Sequence, residues 1–198
     1  MTAVHEDAGP EVDRLRELLI ADLDTGFAEL VRLYQDIVYA TLLRACQHPA
    51  DAEDLAAEAF LRAYRALADF DRTRIAELRP RPWLVTIALN TWRNSVRDRG
   101  RRPAQVSLDE LVDQPAQTDD FAAADNRIDL GAELAELVDL LPEKQRIAVV
   151  LRHVTELSVP EVAEVLRVPE GTVRSHISRG LSRLRSELAQ RRSHEVML

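Results

Sequence analysis

Apolar positions recur at spacings of three and four along most of the chain, interrupted by prolines and by one long stretch without period. Over residues 26–46, Phe27, Leu30, Val31, Tyr34, Ile37, Val38, Thr41 and Leu42 fall on one helical face. A shorter helix is expected over 11–21. His48-Pro49 punctuates the chain, and proline suits a first helical turn. A third helix is predicted over 50–69, with Leu55, Ala59, Phe60, Ala63, Tyr64 and Leu67 facing inward. The segment 71–82 ends in Arg79-Pro80-Arg81-Pro82, and a residue before proline avoids the helical region, so a loop of about a dozen residues is expected there. A fourth helix is predicted over 83–99, stopped by Gly100 and Pro103.

Residues 103–126 mix proline, glutamine, serine and acids without period, which predicts a flexible linker. Beyond it, helices are predicted over 127–140, 143–156, 159–166 and 170–189. Ser158-Val159-Pro160-Glu161 has the form of a capping box. Arg167-Val168-Pro169 is a short turn between two helices, as in a helix-turn-helix. The expected fold class is therefore all-α: two small helical domains joined by a flexible acidic linker. Scarce glycine (6 of 198 residues) and only 5% aromatics agree with helix rather than strand.

Several function classes drop out. No apolar run approaches the roughly 20 residues needed to cross a bilayer, and the acidic start lacks a secretory pattern, so no membrane insertion is expected. A lone Cys46 excludes an internal disulfide and suits a reducing cytoplasm; its place on an apolar side reads as core. The histidines at 5, 48, 153, 176 and 194 have no ligand spacing, so no metal is expected. Phosphate-cradling, dinucleotide-binding, zinc-protease and nucleophile-elbow motifs are all missing, so no catalytic residue and no cofactor are expected.

The net charge of −8 argues at first against a nucleic-acid binder, but its distribution changes the picture. Residues 72–102 carry 9 bases against 2 acids, and residues 170–198 carry 6 against 3, with an acidic stretch between. Two basic islands are two places that could touch phosphate. In the last helix, Val173, Ile177, Leu181, Leu184 and Leu188 form an apolar stripe, while Ser175, Arg179 and Ser182 point away, flanked by Arg174, His176, Ser178 and Arg183. That layout suits a recognition helix in a major groove. By itself this segment is ambiguous, because response-regulator and quorum-type activators carry a similar helix-turn-helix. The first half must decide, and it shows helical period without the β-branched runs of a receiver domain. A pure protein-binding adaptor would leave the basic faces unexplained.

Three segments, in order, resemble the sigma-70 family of RNA polymerase sigma factors, in its extracytoplasmic-function branch. DAEDLAAEAFLRAYRALADF is similar to the helix that docks on the clamp helices of the polymerase largest subunit. The resemblance implies Asp51, Asp54, Glu58 and Arg62 as polymerase contacts. An acidic helix start also suits the helix dipole and a basic partner, and Ala57 stands where the family usually has glutamine. RPWLVTIALNTWRNSVRDRGRR resembles the −10 reader, in which the preceding loop captures a flipped base. It implies Arg79, Arg81, Asn90, Arg93, Asn94 and Arg97 as −10 contacts, with Asn94 where many members have aspartate. LPEKQRIAVVLRHVTELSVPEVAEVLRVPEGTVRSHISRGLSRLR resembles the −35 reader. It implies Thr172, Arg174, Ser175, His176, Ser178 and Arg179 as contacts, with His176 where arginine is usual. The family frame divides the chain into an extension (1–25), region 2 (26–102), a linker (103–126), region 4 (127–190) and a tail (191–198). It implies partners: the polymerase core through clamp helices and flap, promoter DNA, and an anti-sigma factor.

Overall fold

The computed structural model describes residues 9–101 and 134–195. The first block holds five helices: α1 (Pro10–Ala21), α2 (Leu23–Cys46), α3 (Pro49–Ala68), α4 (Arg72–Ala76) and α5 (Pro80–Arg101). The second holds α6 (134–139), α7 (Glu143–His153), α8 (Val159–Leu166) and α9 (Glu170–Glu195). Among the described residues there is no strand, and the alternating strands of a receiver domain are excluded from residues 9–101. The linker 103–126, the first part of the helix predicted over 127–140, and the ends of the chain lie outside the described residues.

Local chemistry explains the boundaries. Asp22 accepts from the Thr25 amide and caps α2. His48 Nδ1 accepts from the Asp51 amide at 3.4 Å and caps α3, with Pro49 in the first turn. Gln47 ends α2 in the left-handed region (φ 60°) and returns its amide to the Leu43 carbonyl. Ser158 and Glu161 form the predicted capping box, with the Ser158 amide donating to Glu161 Oε2 at 2.7 Å.

The stretch 71–82 differs from the expected loop. Residues 72–76 form a helical turn capped by Asp71, and α5 starts at Pro80 rather than Trp83. The two prolines occupy the first turn of α5, where amides have no helical partner, so their missing N–H groups cost little. The first in-helix bond runs from the Trp83 amide to the Arg79 carbonyl.

α2, α3 and α5 pack together around Leu30, Val38, Leu42, Ala59, Ala63, Val85, Ala88 and Leu89. Trp92 is in this core, and Cys46 sits at its edge. α1 lies against α2 and α4 and buries Val12, Leu15 and Leu19. In the second block, α7 packs on α9 across Gly180, where an added Cβ would lie 2.7 Å from Val149 Cγ2. The two blocks touch along α2–α7 and α5–α8, and one apolar cluster runs through both, from Leu84 and Val85 to Ile147, Leu151, Val162 and Val165.

Candidate functional site

The acidic helix α3 presents Glu53 and Asp54 to solvent, with Glu58 half-buried and Arg62 exposed beside it. Arg62 Nε donates to Glu58 Oε1 at 2.7 Å, one helical turn away. Asp51 is different: Arg99 of α5 donates to it at 2.9 Å, so this carboxylate fastens α5 to the start of α3. Leu61 is 52% exposed next to Glu58 and Arg62. Sequence reasoning passed over it. The available signal was that Leu61 falls outside the Leu55–Ala59–Ala63–Leu67 stripe.

The basic segment forms a second station. Phe70, Arg74, Leu78, Arg79, Pro82, Trp83 and Thr86 line an open cleft of about 380 Å³. Arg74 stacks over the Phe70 ring at 3.7 Å, and Phe70 and Trp83 are 5.8 Å apart. Trp83 is half-buried, with one side on the core and one on the cleft. Arginine and aromatic faces in one open cleft are the chemistry that takes an unstacked base. The far wall of the cleft, however, comes from Glu164 and Val165 of α8.

That second domain engages the predicted −10 residues. Arg79 pairs with Glu161, and Arg81 Nη1 donates to the Thr155 carbonyl at 3.2 Å and to Glu156 at 3.5 Å. Asn90, Arg93 and Asn94 are half-buried, while Arg97 is exposed. Burial holds the Arg93 guanidinium below its ordinary pKa, with Arg167 of the second domain adding repulsion.

The third station is α9. Val173 and Leu184 are buried, with Ile177, Leu181 and Leu188 packed beside them, as the apolar stripe predicts. Arg174, Ser178 and Arg179 are exposed; Thr172, Ser175 and His176 are half-buried. Arg174 pairs with Glu170 one turn earlier at 2.6 Å. An open groove of about 330 Å³ beside the helix carries Arg152, His153, Arg174 and Arg185. Burial, then Arg152, lowers the His153 pKa. His176 Nδ1 is buried without a hydrogen bond among the described residues, so this ring is partly withdrawn from the outward face.

The described residues contain no group of His, Cys, Asp or Glu placed to hold a metal, and no described helix is long and apolar enough to cross a membrane.

Comparison with known proteins identifies two matched regions. The description "Sigma-70 region 2" matches residues 30–102, and "Sigma-70, region 4" matches residues 131–184. Among curated relatives, the ECF RNA polymerase sigma factor SigW of Bacillus subtilis is 32% identical over 184 residues, covering 88% of this chain and 95% of its own. The ECF RNA polymerase sigma-E factor of Escherichia coli is 35% identical over 162 residues, covering 78% and 82%. The fold is that of CnrH, solved with the cytosolic domain of CnrY (TM-score 0.61, 23% identity, 91% of this chain and 98% of that one). It is also that of the sigma factor RpoE of Bartonella quintana, solved with the anti-sigma factor NepR (0.60, 23%, 82% and 96%). The matched regions and the relatives together place this chain in the extracytoplasmic-function branch of the sigma-70 family of RNA polymerase sigma factors.

Proposed function

We propose that this chain binds RNA polymerase core in the cytoplasm and directs it to two-part promoters, with residues 26–102 serving core binding and the −10 element and residues 127–190 serving the −35 element. The observation that carries the reading is the separation of one acidic and two basic stations on different helices. α3 offers Asp54 and Glu58 with exposed Leu61, a surface suited to a basic partner helix. The cleft of Arg74, Phe70 and Trp83 suits a flipped base. Unpairing costs about a few kcal/mol per base, so capture must help offset melting. α9 offers Arg174, Ser178 and Arg179 to a major groove. The acidic segment 103–126 joins the two. Bond-making chemistry belongs to the polymerase, so the chain itself is not an enzyme and needs no cofactor. An anti-sigma factor is the proposed regulatory partner, by analogy with the complexes of the structural neighbours.

The stations can be separated by substitution. Asp54→Ala/Glu58→Ala should weaken binding to core at least tenfold, because charge-assisted contacts are about 1.5–3 kcal/mol each. It should leave binding of −35 duplex by an equal amount of assembled holoenzyme unchanged. Arg174→Ala/Arg179→Ala should do the reverse. Equal loss of both activities in both variants would contradict the division of labour.

A further inference from the structure

Arg16 lies on α1, ahead of the residues matched to region 2, and its side chain is only 17% exposed. Nε and Nη2 both donate to the Leu78 carbonyl, at 2.9 and 2.7 Å, while Nη1 is held by Asp13 at 2.8 Å. That carbonyl lies in the connection between α4 and α5, one residue before Arg79. α1 is a firm anchor: Leu15 and Leu19 are buried, and its backbone touches α2 at Gly26, where a Cβ would sit 2.5 Å from the Leu19 amide nitrogen. We propose that Arg16 is a positioning residue for −10 capture. It fixes the Leu78–Arg79 backbone so that Arg79, Trp83 and Phe70 form a preorganised wall for an unstacked base. Preorganisation removes an ordering cost from binding, which is where its benefit is felt.

The inference rests on the −10 reading above, and the test separates the two. Full-length protein bound to core would be titrated with single-stranded −10 oligonucleotide selected by the wild type, and with a scrambled strand. The readout is the ratio of the two affinities, which a general loss of folded protein does not move. Arg16→Met keeps the aliphatic stem and should lower the ratio on the order of tenfold, the effect of losing one charged hydrogen-bond donor. Arg16→Lys should fall between. A ratio unchanged in Arg16→Met but lowered in Arg79→Ala overturns the role of Arg16. A ratio unchanged in both overturns the −10 reading itself.

Discussion

At Gly26 an added Cβ would lie 2.5 and 2.6 Å from the amide nitrogen and Cα of Leu19. These are backbone atoms and cannot rotate away. Alanine normally favours a helix interior over glycine by about 1 kcal/mol, but overpacking costs about 1–3 kcal/mol, so the clash decides the sign. Gly26→Ala is expected to lower the urea midpoint, by up to about 2 kcal/mol of stability, with unchanged slope. A raised midpoint would mean that α1 is free to shift off α2. Cys46 makes a second residue-scale case. Burial pushes its thiol pKa up, Asp51 adds to this, and Sγ donates to the His48 carbonyl at 3.3 Å. The thiolate fraction at mildly alkaline pH is therefore lower in the folded protein than in the unfolded chain. Alkylation by iodoacetamide should be slow until denaturant is added; equal rates in both states would contradict the packing described here.

Among the elements, α8 depends most on its cap. It is only eight residues long, too short to persist on propensity alone. Ser158→Ala should lower stability by about 0.5–2 kcal/mol, measured as a fall in the thermal midpoint, and should weaken −35 binding as the helix-turn-helix frays. An unchanged midpoint would show that tertiary packing holds α8 without the box. This cap was legible because Ser158 and Glu161 are three residues apart, as were the apolar stripes of α2, α3 and α9. The start of α5 at Pro80 was not, because Pro80 and Pro82 suggested a loop, and the permissiveness of a first helical turn outweighed that signal. Arg16 and the domain contact were hidden for another reason. Their partners are 62 to 95 residues away, and a surface-type residue gives no local sign that it will be matched at such range. Glu161 illustrates this: its capping role could be read from spacing, its pairing with Arg79 could not.

For the whole molecule, net charge −8 is expected to make the free chain a poor non-specific DNA binder, with the basic islands acting where they are locally concentrated. One island is also met by Glu156 and Glu161. Promoter binding is thus expected mainly after assembly with core, which supplies the catalytic machinery. Run-off transcription from a library of double-stranded promoter fragments, with purified chain and bacterial core polymerase, tests this account most directly. Initiation at a shared two-part motif is predicted, lost without core binding in Asp54→Ala/Glu58→Ala and lost in its −35 dependence in Arg174→Ala/Arg179→Ala. A chain that neither binds core nor initiates on any fragment, yet binds duplex DNA tightly alone, would contradict it.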